Sequence, residues 1–336
     1  MTAGSLGILA RSQTPAPGAA YKFQEIKPGI YSAIGTGTLN VGSNSAVIVN
    51  QDDVLIVDSH ITPEAARVML REIKAITDKP VKFLVNTHFH FDHTDGNQVF
   101  GPEVLIFGHE FTRKKLAGDF LNEPIFVNSL AGIPRQIETL QGQIASDQDP
   151  SVKARHEQQL KVTQAYQEQV KEVRPVPPNV SFPASMELTR GGREIRLLFL
   201  GRGHTGGDIV VYLPKERVVA SGDLLVNGIA NLVDGYVNDW PDALDKLGAL
   251  DFDDVIPGHG EPFKGKEKIG FFQSYLRDLW QQANKLHDEG VSPEEAAKRI
   301  DMSSHKPHFP LVGPVNPVAV ARIYAVIEGR ADENMR

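Results

Sequence analysis

The run from Leu84 to Asn97, LVNTHFHFDHTDGN, constrains this chain more than any other stretch. It carries His88, His90, Asp92 and His93 in the spacing His-x-His-x-Asp-His, directly after the apolar run Val81 to Val85. The apolar run reads as a buried strand. The four side chains therefore sit on the loop just past a strand end, where open α/β sheets place their sites. Imidazoles two apart on an extended loop cannot both point into a core. They can converge on a metal ion, for which neutral imidazole and carboxylate are good ligands.

Three later stretches carry ligand-type residues, each just after an expected strand: GRGHTGGD with His204, SGDLLV with Asp223 and PGHG with His259. Glycines flank all three, as backbone that bends sharply beside a packed site requires. A lone histidine or aspartate of this kind is usually structural. Four such segments, each at a strand end, point together to a metal centre. The sequence has no cysteine, so disulfides and thiolate sites are excluded and any metal is held by histidine and carboxylate.

The 336 residues, 41% hydrophobic and 23% charged, suit a globular enzyme with a substantial core. The net charge of -7 comes with no basic stripe, which disfavours a nucleic-acid partner. No apolar run approaches the ~20 residues that span a bilayer. The expected partner is a small-molecule substrate, with the oligomeric state open. Ser5 to Ala10 (SLGILA) has the look of the end of a signal-peptide core, and Thr14 to Ala20 (TPAPGAA) of a flexible start. Residues 1–20 are thus read as a flexible N-terminus or signal-peptide remnant, which favours a periplasmic or secreted location over the cytoplasm.

Strands are expected at Ile30 to Ile34, Ser45 to Asn50, Val54 to Asp58, Val81 to Val85 and Val104 to Phe107. Thr62-Pro63 reads as an N-cap followed by proline at the first helical position, opening a helix to about Ile76. Residues 118–178 break the β/α alternation. Ile133, Ile137, Leu140 and Ile144, then Leu160, Thr163, Tyr166, Val170 and Val173, follow the helical period on either side of a turn at Asp149-Pro150. This reads as an inserted helical hairpin. Strands return at Arg193 to Phe199, Ile209 to Leu213, Val218 to Ala220 and Val255-Ile256. Trp240-Pro241 opens a helix, and helices at Phe271 to Leu286, after Ser292 and from Pro317 to Glu328 cover the sheet.

The set NTHFHFDH, GRGHTGGD, SGD and PGHG resembles the metallo-β-lactamase superfamily, over about Tyr21 to Phe272 apart from the insertion. The resemblance implies an αββα sandwich: one domain over 21–330, with the 118–178 insertion and C-terminal helices at 273–330. It implies two metal ions, Zn(2+) as the expected cofactor. His88, His90 and His204 match the ligands of the first ion. Asp92, His93 and His259 match those of the second, Asp223 matches the bridging carboxylate, and Asp58 the carboxylate that buttresses the histidine loop. The diiron branch of the superfamily holds a carboxylate at the position of His90, which favours zinc here. Two ions roughly 3.5–4 Å apart can share a water and lower its pKa to near 7, giving a hydroxide that attacks the carbonyl of a small ester, thioester, lactone or lactam. Asp92 and Asp223 are the expected catalytic carboxylates, ligating the ions and orienting that hydroxide; Asn231 and Tyr236 are candidate substrate contacts.

The stretches GHTGGDIVVYLP, WPDALDKLGAL and VIPGHG also resemble true metallo-β-lactamases of the first subclass. Three features depart from that pattern: Asp223 stands where those enzymes have a zinc-binding cysteine, His93 stands where they usually have a non-ligand, and Leu225, Val226 and Asn227 follow Asp223 where they have a substrate-holding lysine. Hydrolysis of β-lactam antibiotics stays open as an alternative, as does an iron-dependent redox enzyme of the same fold.

Overall fold

The computed structural model describes residues 16–331, so the SLGILA stretch lies outside the described residues. The strands form two sheets. The first takes β1 (Tyr21–Lys27), β2 (Ile30–Gly35), β3 (Ser45–Val49), β4 (Val54–Val57), β5 (Val81–Val85), β6 (Leu105–His109) and β7 (Val180–Phe182), side by side in chain order. β1 to β4 pair antiparallel and β4 to β7 parallel. The second sheet holds β8 (Ser185–Arg190), β9 (Arg193–Phe199), β10 (Ile209–Leu213), β11 (Val218–Gly222), β12 (Asp254–Pro257) and β13 (Phe263–Lys264), again in chain order. Its pairs are antiparallel except β11 with β12.

The alternation of side chains along each strand builds the layers. Ala46, Ile48, Leu55 and Val57 of the first sheet pack against Ile195, Leu197, Ile209 and Val211 of the second. Val47 and Ile56, between them in sequence, point the other way and meet Ala66 and Met69 of α1 (Pro63–Glu72). Burial of both faces is why these strands read as continuous apolar runs. Thr62 caps α1, its hydroxyl accepting from the Ala65 amide at 3.0 Å. Between the sheets in sequence come α2 (Phe91–Thr94), α3 (Glu110–Ala117), α4 (Pro124–Ala131), α5 (Ile133–Ser146) and α6 (Pro150–Gln169). The outer face of the second sheet is covered by α7 (Trp240–Ala249), α8 (Glu267–Asp288), α9 (Pro293–Arg299) and α10 (Pro317–Ile327). There Leu244, Leu276, Leu279 and Ile323 pack on Val210, Val219 and Val255. The result is an αββα sandwich.

The structure differs from the sequence expectation in several places. β1, β7, β8, β13 and α4 are not anticipated. β8, SMELTR, lies at a sheet edge and alternates exposed with half-buried positions, so it carries no apolar run to betray it. The expected histidine loop is partly helical: the backbone is extended at His90 and then closes the single turn of α2, which contains Asp92 and His93. No helix among the described residues is long and apolar enough to cross a membrane.

Candidate metal centre

Asp58, His88, Asp223 and His259 each lie within a few residues of the end of β4, β5, β11 or β12, and His204 lies on the loop entering β10. All of these strand termini meet at one edge of the sandwich. Seven side chains gather there in three overlapping groups: His88, His90 and His204; His88, His93 and Asp223; Asp92, His93 and His259. Within each group the donor atoms lie within 4.8 Å of one another. Asp223 Oδ2 stands 3.4 Å from His204 Nε2 and 3.3 Å from His259 Nε2, while its Oδ1 stands 3.5 Å from His93 Nε2. Asp223 thus touches members of both outer groups. His259, with 40% of its side chain exposed, and Asp92, 3.1 Å away, form the mouth.

The outward nitrogens of three imidazoles are tied, so each would turn an inward lone pair to a cation once any proton on that inward nitrogen is released. Thr87 donates through both its amide and its hydroxyl to the Asp58 carboxylate, each at 2.8 Å. Its hydroxyl oxygen is then an acceptor for His88 Nδ1–H at 3.0 Å. His93 Nδ1–H donates to Asp58 Oδ2 at 2.8 Å. His90 Nε2–H donates to Asp234 Oδ2 at 3.0 Å, turning Nδ1 to within 2.9 Å of His204 Nε2. His88 Nε2, His93 Nε2 and Asp223 Oδ1 are buried with no hydrogen-bond partner. Buried polar atoms are rarely left so, and a first-row cation fits this nitrogen and oxygen donor set.

Electrostatics divide the donors. Burial, reinforced by the neighbouring imidazoles, holds His88 well below the usual histidine range. Burial pushes His204 down to about 3 against the pull of Asp223. His93 is buried too, but Asp92, Asp223 and Asp58 outweigh the burial and hold it well above its ordinary value. His259 is likewise raised to about 10, burial being overcome by Asp223 and Asp92. Asp92 and Asp223 move down despite burial, because those two imidazoles face them. Two buried carboxylates need counter-charge. Protons on His93 and His259 supply it, and metal binding to the same atoms would release those protons.

The backbone around the donors is equally specific. A Cβ on Gly258 would lie 2.1 Å from Asp223 Oδ1, so PGHG needs its first glycine. Gly222, at φ +50°, would put a Cβ 2.6 Å from the Thr87 side chain. Asn86 and Asn97, at the two ends of the histidine segment, exchange amide hydrogen bonds of 3.0 and 2.9 Å.

Two residues with clear roles escape the sequence reading. Asp234, which orients His90, is a single aspartate in an irregular loop with no motif around it. Asp208, the last residue of GRGHTGGD, accepts from the Thr205 amide at 2.9 Å and its hydroxyl at 2.6 Å and so shapes the loop that carries His204. Burial, partly offset by those bonds, pushes its carboxyl up to about 7. Of the two candidate substrate contacts, Asn231 is exposed beside the centre. Tyr236 is 1% exposed, with the guanidinium groups of Arg202 and Arg322 over its ring at 4.3 and 4.5 Å.

A family model described as the metallo-beta-lactamase superfamily matches residues 39–103 and 145–259, more than half of the chain. The chain belongs to that superfamily. Among its relatives, the linear primary-alkylsulfatase of Pseudomonas sp. (strain ATCC 19151) is 26% identical over 270 residues, covering 76% of this chain and 49% of that protein. The metallo-beta-lactamase type 2 of Bacteroides fragilis is 34% identical over 118 residues, 33% of this chain and 46% of that protein. The chain spans about half the length of these curated relatives. Among solved structures, a stereoselective inverting sec-alkylsulfatase from Pseudomonas sp. superposes with a TM-score of 0.63 at 19% identity, over 90% of this chain and 49% of that one. A metallo-beta-lactamase from Pontibacter korlensis gives 0.52 at 18% identity, over 80% and 99%. Likeness at such identities is one of fold, and function has to be argued from the site.

Proposed function

We propose that this chain is a two-zinc hydrolase of a small ester, thioester, lactone or lactam. In this reading His88, His90 and His204 hold one ion, Asp92, His93 and His259 the other, and Asp223 joins the two. The observation that carries it is the convergence of these seven side chains with the outer nitrogens of His88, His90 and His93 already engaged. Bound zinc would supply a hydroxide nucleophile at neutral pH and a Lewis acid for the substrate oxygen. The chain's own part is to orient: Asp92 and Asp223 present carboxylate oxygens that align the attacking water and accept its hydrogen bond. Asp58 and Asp234 fix the rings of His93 and His90. No cysteine is present to act as a covalent nucleophile.

A second reading, hydrolysis of an alkyl sulfate ester, is favoured by the extent of the match. The alkylsulfatase relative covers 76% of this chain and the Bacteroides fragilis β-lactamase 33%. One experiment separates the readings. Metal content is measured on protein purified without added metal. The zinc-loaded chain is then offered p-nitrophenyl acetate, a thioester, a lactone, nitrocefin and dodecyl sulfate. Two zinc ions per chain and turnover of a carbonyl substrate, lost in Asp223→Ala, is the expected result. Turnover of dodecyl sulfate alone selects the second reading, nitrocefin alone a β-lactamase, and bound iron with oxygen-dependent activity removes the hydrolytic proposal.

A further inference from the structure

Beside the centre lies an open slot of about 320 Å³, lined among others by Phe91, Ile125, Asn128, Asn231, Asp234 and Val318. It adjoins the donors through two of their neighbours. Phe91 stands between His90 and Asp92 in the chain, and Asp234 accepts the His90 Nε2 hydrogen bond. One wall is α4, which supplies Ile125, Asn128 and Ser129 and falls in the part of the chain that the family match leaves out. The slot is therefore built partly from residues inside the family match, Phe91, Asn231, Val233 and Asp234, and partly from residues outside it.

Its chemistry is selective. Phe91, Ile125, Val233 and Val318 make apolar walls. Two asparagines at the rim have their carbonyl oxygens occupied: Asn231 accepts from the Val233 amide at 3.1 Å and Asn316 from the Val318 amide at 2.9 Å. Their Nδ2 hydrogens remain as donors, which suits a ligand that carries acceptors. Asp234 is the single charged residue among the lining side chains, and neither lysine nor arginine lines the slot. A carboxylate placed there would meet the Asp234 carboxylate, with the cations that act on it, Arg322 and Lys115, outside the lining.

We propose that this slot takes the non-reacting arm of the substrate, and that the arm is an uncharged, largely aliphatic chain with a carbonyl or ether acceptor. The proposal rests on the hydrolytic reading above and narrows it, because a substrate whose arm ends in a carboxylate is excluded. The test uses the zinc-loaded full chain and p-nitrophenyl esters from acetate to hexanoate. kcat/KM is expected to climb with arm length by up to roughly fourfold per methylene, the value of full burial. Mono-p-nitrophenyl adipate, an arm of similar length ending in a carboxylate, is expected to fall well below the hexanoate. Ile125→Trp and Val318→Trp, which fill the slot from α4 and from α10, are expected to flatten the length series. Val318 is 52% exposed and tolerates a larger side chain without a packing penalty. A flat series in the unsubstituted chain, a series that both tryptophans leave unchanged, or preference for the adipate overturns the proposal. Should no ester be turned over, the ester form of the hydrolytic reading fails by itself. The slot is then judged by ligand-observed NMR with N-hexylacetamide: binding weakened by both tryptophans supports it, and binding that is absent or unchanged by them overturns it.

Discussion

Asp58 sits at φ +66°, in the left-handed region that disfavours residues with a side chain. Its carboxylate accepts from Thr87 twice and from His93, all at 2.8 Å, and these bonds offset the backbone strain. Asparagine tolerates the same backbone conformation, so Asp58→Asn isolates the carboxylate from the turn. Retention of metal should weaken about 10- to 100-fold, the usual cost of losing such a partner, as read by competition with a chelator. Asp58→Ala should show the same loss together with a lowered Tm, because the strained turn is then no longer held. Asp234→Ala addresses the other tied ring. His90 would be free to rotate its Nδ1 away from His204, and metal should leave about tenfold faster. A chelator-release rate equal to that of the unsubstituted chain would show that the bond has no such role.

At the scale of elements, the turn after β12 is set by sterics. In Gly258→Ala the new Cβ would stand 2.1 Å from Asp223 Oδ1 and 3.0 Å from His93 Cε1, so the carboxylate must move. Bound metal should fall to about half by elemental analysis while the far-ultraviolet spectrum stays unchanged. The helices between the sheets form a separate apolar cluster, in which Phe126, Ile133 and Tyr166 pack on Phe89 and Phe120. Phe126→Ala should cost roughly 3–5 kcal/mol locally, seen as faster proteolysis within 124–169 while α1 and the strands resist. What could be read in advance follows from the same contrast. The donors in NTHFHFDH, GRGHTGGD, SGD and PGHG were legible because ligand chemistry admits few residue types and strands β4, β5, β11 and β12 are apolar on both faces. β8 and Asp234 were not: an edge strand facing water has no apolar signature, and a lone aspartate acquires its meaning only from a ring 144 positions away.

The molecule as a whole is closed at one edge by this centre. His88, His90, Asp92 and His93 follow β5 of the first sheet, whereas His204, Asp223 and His259 adjoin β10, β11 and β12 of the second. Few protein bonds join the sheets there. The Asn44 amide donates to Gly258 O at 2.7 Å, its side chain donates to Pro257 O at 3.0 Å, and the Ile209 amide donates to Thr87 O at 2.7 Å. Metal bound by donors from both sheets adds a cross-link between segments that lie far apart in the chain, and it stabilises only the folded state. At a free concentration a thousand times its Kd, one ion contributes about 4 kcal/mol. Removing metal should therefore lower Tm by several degrees and restoring zinc should recover it. Hydrogen exchange gives the sharper test of the cross-link. Amides in 86–97, 203–209 and 257–260 should lose protection together on metal removal, while those of β3 and β10 in the packed interior keep theirs. If only 86–97 responds, the ions are held by one sheet and the two halves do not share them.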